Sequence, residues 1–393
     1  MMSRRILYLQ YTNPANYPPL EHGGLILLKA GWEVWFFGIQ SEGESNKLAF
    51  PAPLAERQTL WPRSTPGLKQ KLHFIAFTLA ALWQVIRRRP AWVYCSDLMS
   101  CPAAWLIGAL TRCQVLYHEH DSPEDVHYLT SDLRPLTSRF QHFLLWSRRR
   151  VGLRADLVVL PNQKRLDLLC QTAGRKKNSL CVFNCPRQEE LTGSNGERGG
   201  HGIVRLAFHG SINQDRLPLA ILTAMSRFPG QVCLSVAGYE PAGSRGYMRE
   251  FLQRAAELGL GKQVEFVGAL PTRRDLYQQA SKCDVGLAFM PLQDGDMNMA
   301  NMTGASNKPF DYLACGLALL VSARPEWEEM FVRPGYGRSC DPADADSIAA
   351  QLDWFLKRPA DTRRMGTLGR QRILADWNYE TQFAPVLNIL NQG

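Results

Sequence analysis

SNKPFDYLACGLALLVS, residues 306–322, decides how the rest of the chain reads. Ser306 or Asn307 can cap a helix, and Pro309 suits its first turn. The pattern predicts a helix through Phe310, Tyr312 and Leu313 to Ala314, ended by Gly316. Leu317–Ser322 then returns as a strand whose first five residues carry no polar side chain. A strand that apolar is buried on both faces, as in a parallel sheet covered by helices. Lys308 and Asp311 fall together at the helix N-terminus, where unpaired backbone N–H groups and a partial positive charge favour phosphate. Lys308 adds a full charge. Asp311 only accepts hydrogen bonds, which suits a pair of ribose hydroxyls. A surface ion pair at i,i+3 is the plain alternative for the same two residues.

Working outward, the same alternation recurs. Upstream strands are predicted at Val204–Gly210, Val232–Gly238, Gln263–Gly268 and Asp284–Met290, with helices between them. The first half repeats the pattern with strands at 5–11, 33–38, 92–95, 114–118, 156–161 and 180–183. Between the two series lies PRQEELTGSNGERGGHG, residues 186–202, polar and rich in glycine, which reads as a linker. The expected fold is α/β: two tandem Rossmann-like domains facing a central cleft. The expected division is 1–185, linker 186–202, 203–375, and a C-terminal helix over 376–393 packing back on the first domain. Ligands of such sheets bind beyond the carboxyl ends of the strands.

Composition bounds the partners. The 393 residues are 45% hydrophobic and 21% charged, a globular balance with material for two cores. A net charge of +9 suits an anionic partner: nucleic acid, a membrane surface or a phosphorylated small molecule. The arginine clusters lack interleaved aromatic stacking platforms, which argues against nucleic acid. Ten scattered cysteines show no zinc spacing and read as reduced thiols of a cytoplasmic protein. Residues 72–86, LHFIAFTLAALWQVI, are shorter than the ~20 apolar residues a membrane span needs and read as a core or interfacial helix.

A second motif, FHGSINQDR (208–216), sits between a strand and a helix, the place of a phosphate-binding turn. Gly210 permits close backbone approach, Ser211 and Asn213 can donate to phosphate oxygens, and Arg216 can pair with them bidentately.

With these two motifs in view, the second half resembles the nucleotide-sugar domain of GT-B glycosyltransferases. It is most similar to the large retaining family of bacterial polysaccharide enzymes. NKPFDYLACG resembles that family's N-K-x-x-E-Y-x-A-x-G stretch, with Asp311 at the glutamate position. VAGYE (236–240), VEFVGALP (264–271) and CDVGLAFMP (283–291) resemble its further signatures. The resemblance covers most of 204–388 and is weaker before it. It implies that Lys308 contacts the donor diphosphate, Asp311 the ribose, and the backbone at Ser306 and Asn307 the sugar-phosphate. Ser211 stands where many members carry arginine, and Thr303 where many carry a second acid. The resemblance further implies transfer with retention from a UDP- or GDP-sugar, with no obligatory cofactor or metal, onto a glycan or lipid-linked acceptor. It places the enzyme in the cytoplasm or at the inner face of the membrane.

In the first half, YHEHDSPED (117–125) follows a strand end. The family often places a histidine or a histidine–aspartate pair here, so His120 and Asp121 are the candidate catalytic residues. EHGGL (21–25) matches the family's glycine-rich first loop, with Gly23 and Gly24 approaching phosphate or acceptor. QDGDMN (293–298) contains Asp-x-Asp and reads as a loop over the donor. Residues 138–154 mix Arg148, Arg149, Arg150 and Arg154 with Phe143, Leu144 and Trp146, which suits an anionic lipid surface. Two other readings stand beside transfer: a nucleotide-sugar epimerase, and a non-catalytic nucleotide-sugar-binding subunit.

Overall fold

The computed structural model describes residues 4–41, 48–123, 135–191, 202–293 and 297–392. It contains two all-parallel sheets. The first comprises β1 (Arg5–Leu9), β2 (Glu33–Ile39), β3 (Gln58–Trp61), β4 (Trp92–Ser96), β5 (Gln114–His118), β6 (Leu157–Leu160) and β7 (Ser179–Cys181) in the order 3-2-1-4-5-6-7. The second comprises β8 (Val204–Ser211), β9 (Val232–Tyr239), β10 (Val264–Gly268), β11 (Val285–Ala288), β12 (Ala318–Ser322) and β13 (Gly337–Cys340) in the order 10-9-8-11-12-13. Each order reverses direction once, beside β1 and β8, and each is the doubly wound Rossmann pattern. The expected fold class holds.

Burial follows position in the sheet. β4, β11 and β12, paired on both sides, are buried throughout, which explains sequences that are apolar up to the closing serine of β4 and β12. The edge strand β10 keeps Glu265 and Phe266 exposed. Among the elements not expected are β3, β13 and the Pro359–Ala375 helix, all without a clean apolar period.

The chain divides into two compact units. One contains 1–184, 296–305 and 379–393; the other contains 185–295 and 306–378. In the first, the C-terminal Tyr379–Gln392 helix contributes Tyr379, Phe383, Val386 and Leu390 to a core shared with Ile6, Tyr8 and Phe36. The Trp32 indole also donates to Asn391 Oδ1 (3.1 Å). Residues 296–305 were expected in the donor domain and instead belong to the first unit.

Two further expectations change. Residues 186–191 are not a free linker: Gln188–Glu190 form a turn in which Glu190 accepts from the Arg187 backbone (3.0 Å) and from Arg273 Nε (2.7 Å). Residues 192–201 lie outside the described ones, as do Asp294 and Asp296 of the Asp-x-Asp stretch. Gly23 and Gly24 are not in a loop. They sit buried inside the Pro18–Lys29 helix, which Pro18 and Pro19 open. A Cβ on Gly23 would meet Tyr8 Oη at 3.2 Å and Phe383 at 3.3 Å, and one on Gly24 would meet Phe36 at 3.0 Å. These glycines make room for close packing and present nothing to a ligand.

Candidate functional site

Each unit gathers polar side chains at the carboxyl ends of its central strands. In the second unit, β8 ends at Gly210 and Ser211, next to the point where strand order reverses. Gly210 has φ +98°, a conformation that costs other residues strain. An added Cβ there would lie 3.4 Å from Lys308 Cε and 3.5 Å from its Nζ. The lysine therefore runs against the turn.

The Asn307–Ala314 helix is fixed in that position by Tyr312. Its ring lies over Gly286 of β11, where a Cβ would come within 2.1 Å, and its Oη accepts from the His209 backbone N–H (3.0 Å). Ser306 occupies the N-cap, and its side chain makes no capping hydrogen bond. Asn307 Nδ2 donates to Asp311 Oδ2 (3.1 Å). Lys308 is 3% exposed, with Nζ 5.2 Å from the Phe208 ring centre. Among the described residues no carboxylate lies within ion-pair distance of it. Burial pushes the Lys308 pKa well down, and the charge of Arg216 pushes the same way, while Asp311 pulls it up. Arg216 is oriented by a tight turn in which its backbone N–H donates to Asn213 Oδ1 (3.0 Å). A buried lysine repelled by a neighbouring arginine is relieved by an anion.

Asp311 does something other than expected. Its side chain is 1% exposed and already engaged. Oδ1 accepts from Arg273 Nη2 (2.8 Å) and Tyr277 Oη (2.7 Å), Oδ2 accepts from Asn307, and His209 Nε2 stands 3.6 Å away. The carboxylate is not open to two ribose hydroxyls in this conformation. Burial raises the Asp311 pKa, against the pull of Arg273. Burial works against the Arg273 charge too, but Asp311 and Glu190 hold its pKa well above the usual value. His209 is kept neutral by burial and by the charges of Lys308 and Arg273. Sequence reasoning missed Arg273, Tyr277 and Glu190. Their one sequence signal is Thr272, which caps the Arg273–Ala280 helix through the Asp275 backbone N–H and so fixes where Arg273 begins.

In the first unit, His118 ends β5, Glu119 and His120 follow it, and Asp97 follows β4. Asp97 has φ +61°, unusual for a residue other than glycine and the kind of strain that collects at functional positions. Its Oδ1 accepts from the His120 backbone N–H (2.7 Å) and its Oδ2 from Gln10 Nε2 (3.2 Å). Burial lifts the Asp97 pKa to about 7, although these hydrogen bonds oppose the rise. The His120 ring lies 4.9 Å from that of Tyr17 and 4.0 Å from that of His118. Burial lowers its pKa to about 4, so the imidazole is neutral at pH 7. Its Nε2 is buried and makes no hydrogen bond among the described residues. Asp121, by contrast, is exposed. Asp97 is therefore the acid that positions His120, and nothing in its sequence neighbourhood marks it.

Glu119 is fully buried. It accepts from Arg148 Nε (2.6 Å) and Nη2 (2.8 Å), Tyr117 Oη (2.6 Å) and Ser122 Oγ (2.7 Å). Burial opposes its charge, yet Arg148 and these donors hold its pKa below the usual value. Arg148 thus belongs to the interior, as does Leu144, and neither is available to a lipid surface. The His120 segment is also braced by residues 297–305. Asn298 exchanges two hydrogen bonds with the Ser122 backbone (2.7 and 2.8 Å), and Arg165 joins the Asn298 and His120 carbonyls (2.6 and 3.0 Å). Thr303, at the position where many relatives carry an acid, accepts from Asn162 Nδ2 (2.8 Å) through its carbonyl. Among the described residues, no three His, Cys, Asp or Glu side chains group as a metal site.

Residues 222–388 match the family model described as "Glycosyl transferase-like". No curated protein matches the chain. Solved structures agree on the fold. Sucrose-phosphate synthase from Thermosynechococcus elongatus superposes with a TM-score of 0.70 at 16% identity, over 99% of this chain and 98% of that one. HepE of Anabaena, in complex with UDP and glucose, gives 0.70 at 15% identity, over 99% and 100%. WaaG, a glycosyltransferase involved in lipopolysaccharide biosynthesis, gives 0.67 at 13%, over 99% and 100%. The architecture is GT-B, and the domain match makes glycosyltransferase the enzyme class.

Proposed function

We propose that the chain transfers a sugar, with retention, from a nucleotide-sugar donor to an acceptor hydroxyl of a cell-surface glycan or glycolipid. One observation carries the donor assignment. Lys308 is a buried lysine on which Arg216 is the strongest charged influence, set against a left-handed glycine turn at the carboxyl end of β8. A diphosphate supplies the charge this arrangement lacks. HepE in complex with UDP-glucose, and the E. coli protein bound with UDP-2-fluoro glucose, share the fold and support a uridine diphosphate sugar as the donor.

The residues divide the chemistry as follows. As the bond to the anomeric carbon breaks, negative charge grows on the leaving diphosphate. Lys308, Arg216 and the backbone N–H groups at Ser306 and Asn307 stabilise that charge before reaction begins, so little reorganisation is needed. Gly210 and Ser211 admit the phosphate to the turn. Asp311 acts indirectly: it holds Arg273 and Asn307, and so the start of the helix that carries Lys308. His120, neutral at pH 7 and with Nε2 unpaired, offers its ring nitrogen to a hydroxyl of the transferred sugar. Asp121 stays a candidate partner for the acceptor. No side chain is assigned as a nucleophile; the acceptor hydroxyl attacks from the face the diphosphate leaves, and its proton passes to the departing phosphate oxygen as the sugar–phosphate bond breaks.

A thermal-shift series with UDP, GDP, ADP and their sugars tests the reading, since a ligand bound only by the folded state raises its stability. A rise with UDP and UDP-sugars, abolished in Lys308→Ala, is the expected result. No shift with any nucleotide overturns it. Incubating the responding nucleotide-sugar alone then separates transfer from epimerisation, because an epimerase changes the sugar without an acceptor.

A further inference from the structure

The Leu68–Arg88 helix carries a face that no described residue covers. Leu68, Leu72, Ile75, Leu79, Trp83 and Ile86 recur at helical spacing along one stripe. All are large and apolar, and their exposures run from 52% at Trp83 to 73% at Leu68. The opposite face, with Phe74, Phe77, Ala81 and Val85, fills the core. Isolated exposed leucines are ordinary, but six on one stripe form a continuous patch that needs an occupant.

The patch extends onto neighbouring helices of the same unit. Leu110 ends the Cys101–Leu110 helix and is 66% exposed. On the Pro135–Arg154 helix, Phe143, Trp146 and Leu153 are exposed, with Arg150 over the Trp146 ring at 5.5 Å. Ring contacts join the three helices: Phe74 with Phe140 at 5.3 Å, and Trp105 with Trp146 at 5.0 Å.

Charge selects the occupant. None of these three helices contains an aspartate or glutamate. Lys69, Lys71, Arg87 and Arg88 flank the stripe on the first, Arg112 follows the second, and Arg149, Arg150 and Arg154 lie on the third. Arg87 sits over the Trp83 ring at 5.1 Å, at the border of apolar and charged surface. A two-fold dimer through this face would press two cationic rims together, since such an interface pairs a patch with itself. A bilayer surface bearing anionic headgroups accepts both parts, the side chains into its acyl boundary and the cations among its phosphates. No described helix is long and apolar enough to cross a membrane, so the face lies on the surface.

We propose that the outer face of the Leu68–Arg88 helix, continued by Leu110, Phe143 and Trp146, docks the protein on an anionic phospholipid bilayer. This assignment is independent of the donor site and stands or falls apart from it. The test is co-sedimentation of the full chain with phosphatidylcholine vesicles, with and without phosphatidylglycerol. Wild-type protein should pellet with the anionic vesicles, less with neutral ones, and less again as salt rises. The triple variant Leu72→Ser, Leu79→Ser, Trp83→Ser removes only exposed side chains. It should bind anionic vesicles at least about tenfold more weakly, by loss of apolar burial, with its unfolding temperature and its response to nucleotide unchanged. Equal vesicle binding by wild type and variant overturns the proposal. So does a lipid-free dimer of the wild type that the same three substitutions dissociate, which would assign the face to a second copy.

Discussion

Both units bury a carboxylate–guanidinium pair beside the ends of their central strands, yet the two pairs leave different polar groups unmatched. In the first unit Glu119 is matched by Arg148, and among the buried groups without a partner in the described residues is a neutral imidazole nitrogen, His120 Nε2. In the second, Arg273 is matched by Asp311 and Glu190, and Lys308 is the buried basic group with no carboxylate at ion-pair distance among the described residues. A neutral ring nitrogen suits a hydroxyl-rich ligand, and a buried cation suits a phosphate. The difference teaches that the ion pairs build the scaffold while the residue each excludes faces chemistry.

Breaking the pairs should have the largest effect. Arg273→Ala strands two buried carboxylates and should cost about 5 kcal/mol of stability, and Arg148→Ala, which strands one, about 3 kcal/mol. Urea unfolding measures both; equal and small losses would end the comparison.

Titration should sharpen it next. His120 is held at about 4 rather than 6.5, so the unfolded chain binds the extra proton and stability falls as pH drops from 6.5 towards 4. Asp97 is held at about 7 rather than 3.8, so the folded chain binds the proton and stability falls as pH rises from 3.8 towards 7. The two slopes oppose each other in the native protein. His120→Gln should remove the first, up to roughly 3 kcal/mol, and Asp97→Asn the second, up to roughly 4 kcal/mol. Unfolding free energies from pH 4 to 8 that are parallel in all three proteins would refute these assignments.

Lys308→Met should separate function from stability. Removing a buried amine that has no carboxylate at ion-pair distance among the described residues should leave the unfolding temperature equal or higher, while affinity for UDP, read by calorimetry, falls at least about tenfold. Gly23→Ala should do the least. Its Cβ would crowd Tyr8 and Phe383 but gains helix propensity, so stability should change by less than about 1 kcal/mol, with nucleotide affinity unaltered.

The sheets were legible because strands buried on both faces leave unbroken apolar runs, as in β4 and β12. β3 and β13 were not, since QTLW and GRSC are four residues long and only partly buried. Lys308 and Gly210 were legible as a site because a lysine at a helix start and a glycine after a strand have local causes. Arg273 and Asp97 were invisible. Each acts on a residue distant in sequence, Asp311 and His120, and distance in sequence is what pattern reading cannot span. Gly23 and Gly24 misled for the converse reason: the family resemblance implied a glycine-rich loop, and only packing, against Phe383 360 residues later for Gly23 and against Phe36 and Leu54 for Gly24, shows them to be spacers.

That late contact has a consequence for the order of synthesis. The first unit takes residues 296–305 and 379–393 from the second half of the chain. Its core lacks Tyr379, Phe383, Val386 and Leu390, and the His120 segment lacks Asn298, until those residues have left the ribosome. The unit translated first is therefore the last to be completed, and a truncation of fifteen residues at the far terminus would damage the N-terminal core before it touched the donor site.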